Sequence, residues 1–320
     1  MAVYTEVADE DLTEFAAQFD LGEVLSCKGI AEGVENSNFQ LVTEKGSYIL
    51  TLYEKRVNPA DLPFFLGLIA HLADAGVPCP QPVRAPDGDI LKELSGKSAA
   101  VVTFLSGLWP RHIHTYHAAE VGRALAEMHV AGVDYTLSRA NALDVTSWRG
   151  VLGQCEGRGD KVIPGITAEL TTELDELEAN WPDDLPRGVI HGDLFPDNVI
   201  FRGEHLSGLI DFYVACNDVL AYDVAVCLNA WCFEADGSFN VTKARKMLRA
   251  YGKVRALTEP ELAALPLLAR GAAMRFLLTR LYDWLNTPEG ALVTPKDPRE
   301  FLQKLRFHRG LDGPGAYGLE

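Results

Sequence analysis

No apolar run in the 320 residues approaches the roughly 20 that span a bilayer. The opening Met1-Ala-Val-Tyr-Thr-Glu6 has neither the basic start nor the apolar stretch of a secretory signal. A membrane protein is thereby set aside, and a cytoplasmic location is expected. Positive charge is scarce: 29 Lys and Arg stand against 45 Asp and Glu, for a net charge of -16. Nucleic acid and anionic membrane both require a basic face, so neither is expected as a partner. The six cysteines are scattered, and only Cys227 and Cys232 lie close together, with no histidine beside them. That spacing signals neither a zinc site nor a disulfide framework, and buried reduced thiols are expected. Repeats, low-complexity tracts and long polar linkers are also missing, and nothing in the composition sets an oligomeric state.

What is present is an ordinary globular composition, 48% hydrophobic and 23% charged, in a length that suits two lobes sharing a cleft. Residues 9–19 read as a short amphipathic helix. Phe39–Thr43 and Tyr48–Tyr53 flank a Lys45-Gly46 turn and read as a hairpin. An apolar helix from Pro59 to Ala75 is ended by Gly76-Val-Pro. A second hairpin turn is expected at Pro86–Asp89, followed by a buried strand over Ser98–Leu105. Beyond a loop starting at Ser106-Gly107 the text turns helical, first at about 115–131, where Ala118, Val121, Leu125 and Met128 share one helix face. The expectation is an α+β chain: a β-rich N-lobe over 1–105, a hinge near 104–107 and a mainly helical C-lobe over 106–320. The stretch 132–165 reads as the loosest.

The most informative segment is His191-Gly-Asp193-Leu-Phe-Pro-Asp-Asn198, with Asp211 thirteen residues after Asn198 inside Ile210-Asp-Phe212. Phosphoryl transfer needs a place for the acceptor's proton and hard oxygens for magnesium on the nucleotide phosphates. Asp193, lifted out of a strand end by a turn-prone run, suits the base. Asn198 and Asp211 suit the metal, because Val199–Phe201 and Leu209–Phe212 read as a hairpin that brings them together. His191 is expected to pack and hydrogen-bond rather than to exchange protons.

Val189–Phe212 resembles the H-G-D-x-x-x-x-N and I-D-F motifs of the aminoglycoside phosphotransferase/choline kinase superfamily, relatives of protein kinases. Gly122–His129 resembles its G-x-x-L-x-x-L-H helix, Ser37–Val42 its nucleotide-loop strand, and Ala221–Ala225 its Y-D-L-A helix start. The resemblance implies a two-lobed kinase-like fold using ATP and Mg2+ in the interlobe cleft. It implies Asp193 as base and Asn198 and Asp211 as metal ligands. A 29–38 loop with Gly33, Asn36, Ser37 and Asn38 would lie over the phosphates, and a hinge at Thr103, Phe104 and Leu105 would meet adenine. Gly29–Phe39 and Gly208–Cys216 are similar to the type II homoserine kinase branch, which implies L-homoserine as the small-molecule acceptor, for threonine synthesis. Choline, methylthioribose, a sugar amine or an aminoglycoside are the alternative acceptors, and a nucleotide-binding scaffold is the alternative of another class.

The pattern also departs from its relatives. Where protein kinases carry a third-strand lysine paired to a helix glutamate, this chain has Thr51, and its 60–75 helix contains no glutamate. Lys28 and Arg56 are weak substitutes. Gly192 and Tyr213 replace the Arg of H-R-D and the Gly of D-F-G, so control by phosphorylation is not expected. For the acceptor, Arg270, Arg275 and Arg280 cannot share one face, since steps of five turn a helix by about 140°. Arg275 is the candidate for the carboxylate, with a structural ion pair as its alternative. Tyr213 and Trp231 are candidate pocket walls.

Overall fold

Alternation builds the sheet. In β2 (Ser37–Thr43) every second residue is buried, as expected of a strand with one face on a core. β2 lies between β1 (Val24–Ile30) and β3 (Gly46–Leu52), with β5 (Lys97–Thr103) and then β4 (Leu91–Leu94) beyond, all antiparallel. The computed structural model describes residues 5, 7–30, 36–54, 57–155, 157–288 and 294–319. Register aligns Phe39, Leu50 and Val101 across three strands on one face. That face closes a small core with Leu12, Phe15 and Phe19, at and just beyond α1 (Asp9–Gln18). The opposite face aligns Asn38, Thr51 and Ala100, and Gln40, Ile49 and Val102. The turn expected at Pro86–Asp89 forms, closed by Ala85 N–H on the Asp89 carbonyl at 2.8 Å, but it precedes β4. The β4–β5 reversal is made by Ser95 and Gly96, both at positive φ (51° and 73°).

α2 (Leu62–Asp74) follows β3 in the chain but not in the core. Its Leu62, Phe65, Leu66, Leu68, Ile69 and Leu72 share one hydrophobic cluster with the later helices, whereas the sheet and α1 form the other. The later part holds α3 (Thr115–Ala131), α4 (Val145–Gln154), α5 (Gly159–Val162) and α6 (Ile166–Asn180). Then come two small sheets, β6 (Arg187–Ile190) with β9 (Cys216–Val219) and β7 (Val199–Arg202) with β8 (His205–Leu209). α7 (Leu220–Trp231), α8 (Val241–Val254), α9 (Glu259–Asn286) and α10 (Arg299–Arg309) complete it. The α+β class expected from sequence is what forms.

Two expectations change. The stretch 132–165 is not the loosest, because α4 and α5 lie in it; Asp144 caps α4 through its side chain, and Trp148 and Leu152 bury its inner face. And α9 is long and apolar enough to cross a membrane by length and composition, although 61% of its apolar window is buried inside the protein, so it serves as the central core helix. Five cysteines are buried, Cys27 is half-buried, and all six are free thiols.

Gly122 of α3 has a steric reason to be glycine. A Cβ there would stand 2.2 Å from the carbonyl oxygen of Met247 in α8, so the two helix backbones meet directly. Gly122→Ala should therefore destabilise the fold by roughly 1–3 kcal/mol through overpacking. Urea denaturation checks this, and an unshifted midpoint would contradict the close crossing.

Candidate active site

The His191–Asn198 segment leaves β6 and turns at Gly192, whose φ is +74°. A buried carboxylate holds that turn. Asp223, in the first turn of α7, accepts the His191 N–H at 2.7 Å, the Gly192 N–H at 2.9 Å and His129 Nε2 at 3.1 Å. His191 donates from the other side. Asp193 N–H points at its Nδ1 (3.3 Å), so Nε2 carries the proton and meets the Ile210 carbonyl at 3.0 Å. Burial holds the His191 pKa below its usual value, consistent with a neutral, structural imidazole. One histidine thus ties Asp193 to the residue before Asp211.

The remaining links are backbone and amide. Asn198 Nδ2 donates to the Asp193 carbonyl (2.8 Å) and to Asp193 Oδ2 (3.2 Å). The Ile210 N–H donates to the Asn198 carbonyl at 3.0 Å, extending the β7–β8 pairing of Val199 with Leu209. Asp211 follows in a left-handed conformation (φ 65°) with its carboxylate exposed. Asp193, Asn198 and Asp211 are therefore one cluster. Burial pushes the Asp193 carboxyl up to about 7; Arg275 opposes this, Asp211 and Asp197 add to it, and Lys296 opposes it. Two repelling carboxylates beside an amide oxygen form a hard-oxygen set that suits a divalent cation such as magnesium.

Several expected site residues sit elsewhere. Trp231 is fully buried and is not a pocket wall; its Nε1 donates to the Leu194 carbonyl at 2.7 Å, supporting the 191–198 loop from the core. Arg275 is only 6% exposed, and its guanidinium donates to the Gly192 carbonyl and lies over the Phe276 ring at 4.5 Å. Its charge is held on the loop's own Gly192 carbonyl, largely away from solvent. Tyr213 is half-buried; its hydroxyl lies 3.1 Å from that of Tyr53, bonds to Thr51 as well, and its ring packs edge-on to Phe65. It links the Asp211 segment to the end of the sheet.

On the nucleotide side, Gly33 and Arg56 lie outside the described residues. Asn36 and Ser37 are buried and turned into the protein: Asn36 Oδ1 accepts the Glu54 N–H at 3.2 Å, and the Ser37 hydroxyl donates to Glu54 Oε1 at 2.6 Å. Glu54 in turn pairs with Lys97, and Lys28 is exposed on β1. Asn38 shares the outer face with Thr51, which donates to its Oδ1 at 2.8 Å. The segment expected as the hinge is fixed to the β7–β8 hairpin. Leu105 packs on Gly208 of β8, Leu108 and Phe201 exchange backbone bonds of 3.0 and 2.9 Å, and Phe104 is exposed. Thr103 Oγ1 accepts the Gln81 N–H at 2.9 Å.

One feature had no sequence signal. Arg139, in a loop, donates to Asp61 Oδ2 at 2.8 Å and to the Ala215 carbonyl at 3.2 Å, and lies over the Phe65 ring at 5.0 Å. It latches the start of α2 to the segment after Asp211.

A family model described as "Phosphotransferase enzyme family" matches residues 26–257. The chain belongs to that family. A relative from Rhodospirillum rubrum named homoserine kinase is 64% identical over 319 residues, covering 100% of this chain and 99% of its own. One of the same name from Afipia carboxidovorans is 62% identical, covering 100% and 98%. Among solved structures, an amicoumacin kinase in complex with AMP-PNP, Ca2+ and Ami aligns with a TM-score of 0.70 at 16% identity, covering 94% of this chain and 92% of that one. That last likeness speaks to the fold. The phosphotransferase resemblance read from the motifs is borne out.

The placement of Trp231 is testable. Trp231→Phe removes the bond to the loop while keeping most of the ring, so it should lower kcat several-fold, cost about 1 kcal/mol of stability, and leave the acceptor KM unchanged. A raised acceptor KM at unchanged stability would return Trp231 to the pocket wall.

Proposed function

We propose that this protein transfers the γ-phosphate of ATP to the side-chain hydroxyl of L-homoserine, giving O-phospho-L-homoserine and ADP for threonine synthesis. Relatives named homoserine kinase match at 62–64% identity across essentially the whole chain, and this supports the acceptor. The observation that carries the chemistry is the direct contact between Asn198 and Asp193, with Asp211 tied alongside through Ile210.

In this proposal Asp193 receives the acceptor's proton. The Asn198 amide holds its Oδ2, leaving Oδ1 to meet the hydroxyl. Asn198 and Asp211 would hold magnesium, which supplies charge neutralisation on the phosphates when bound. Arg275 fixes the Gly192 carbonyl and keeps a positive charge under the loop. Residues 1–105 and 106–320 act as two lobes in the proposal, with α2 travelling with the second because it shares that core. Asn38, beside Thr51, faces the phosphates, and Thr103–Leu105 meets adenine. A scaffold that binds nucleotide without turnover is the reading a neutral Thr51 favours, and the complete Asp193, Asn198 and Asp211 set opposes it.

Purified protein with Mg-ATP and a panel of alcohols decides the acceptor: ADP release is expected with homoserine, and release with choline alone would overturn the proposal. Asp193→Asn should cut kcat by about 100- to 10,000-fold while Mg-ATP still binds. Unchanged turnover would remove Asp193 from the role of base. Asp211→Asn should instead weaken nucleotide affinity only when magnesium is present, as titration calorimetry with and without the metal would report.

A further inference from the structure

If the acceptor is an α-amino acid, its carboxylate and ammonium must each meet an opposite charge close to Asp193. Arg275 is buried beneath the loop with its guanidinium on a backbone carbonyl, so it leaves the carboxylate unmet. The rim of the same loop offers a different pair. Asp197 sits in the Pro196–Asn198 turn, and Lys296, just before α10, places Nζ 3.4 Å from its Oδ2. The two side chains are 57% and 62% exposed. Asp197 stands on the same short loop as the base, two residues beyond Phe195, whose N–H donates to the Asp193 carbonyl at 2.8 Å. Lys296 Nζ lies 6.0 Å from the Phe195 ring centre, and Phe276 packs edge-on to that ring at 4.8 Å.

A long, exposed ion pair contributes almost nothing to stability, so a ligand that separates the two charges loses little by doing so. A zwitterion replaces the pair with two new ones. We propose that Asp197 and Lys296 form the receptor for the amino-acid end of the acceptor: Lys296 takes the carboxylate and Asp197 the ammonium. The methylenes then lie over Phe195, and the hydroxyl is carried back to Asp193. This rests on the homoserine proposal and adds its specificity. The same lysine disfavours polycationic acceptors, which the net charge of -16 would otherwise attract.

The test crosses two variants with two truncated acceptors. 3-Aminopropan-1-ol is homoserine without its carboxylate, and 4-hydroxybutanoate is homoserine without its ammonium. Each is assayed as a substrate or, where turnover is too slow, as a competitive inhibitor of homoserine phosphorylation. Lys296→Met should lower kcat/KM for homoserine by about 10- to 100-fold, lower recognition of 4-hydroxybutanoate similarly, and leave 3-aminopropan-1-ol unaffected. Asp197→Asn should do the reverse, penalising homoserine and 3-aminopropan-1-ol but sparing 4-hydroxybutanoate. Lys296→Arg should restore much of the lost homoserine activity, and the KM for Mg-ATP should stay constant throughout. Losses equal on both truncated acceptors, or no loss on homoserine, would overturn the receptor. A wild-type enzyme inactive on homoserine would instead overturn the choice of acceptor.

Discussion

A carboxylate with no access to water organises this active site. Asp223 is fully buried, and burial alone would raise its pKa. Its bond to His129 and the backbone N–H of Gly192 outweigh that and hold the pKa below the usual carboxylate range. A buried anion this well met is a rigid fixture. Because it grips two consecutive N–H groups, the chain must turn at Gly192 and present Asp193 at a fixed angle. His191 then extends the order to Ile210, and Asn198 closes the ring. The support reaches outward too, since His129 Nδ1 meets the Tyr251 hydroxyl at 2.8 Å and Arg255 joins that hydroxyl to Glu261.

The missing lysine and glutamate acquire a physical counterpart in this framework. A third-strand lysine would face the cleft at Thr51, where the structure has a neutral chain of Asn38, Thr51, Tyr213 and Tyr53. α2 needs no partner on the sheet, because it is docked on the helical part. Asp61 meets Arg139, the Phe64 carbonyl accepts the Tyr135 hydroxyl at 2.6 Å, and His71 Nε2 lies 2.8 Å from the Ala131 carbonyl. A helix held at three points along its length is set in place by the fold itself.

How much of this was legible in the sequence follows from how local each feature is. Asp193, Asn198 and Asp211 could be placed together because one short loop joins the first two and one hairpin brings Ile210, next to Asp211, onto Asn198, and both signals are contiguous. The hairpin of Phe39–Thr43 with Tyr48 onward followed from two strand-like runs around the Lys45-Gly46 turn. Trp231 and Arg275 were misplaced because α7 and α9 are apolar around most of their circumference, so no stripe distinguishes a cleft side from a core side. Asn36 and Ser37 look like loop donors as text. Only the register of β2, which puts Ser37 on the buried face, turns their side chains toward Glu54. The allegiance of α2 and the Arg139 latch are long-range facts, settled by which core the chain closes on.

The central claim is that this braced loop holds a base and two metal ligands in one place. A crystal structure with magnesium, a non-hydrolysable ATP analogue and homoserine tests it most directly. The account predicts the metal on the Asn198 side-chain oxygen and the Asp211 carboxylate, with Asp193 hydrogen-bonded to the acceptor hydroxyl. A metal held by other residues, or an acceptor hydroxyl out of reach of Asp193, would contradict it.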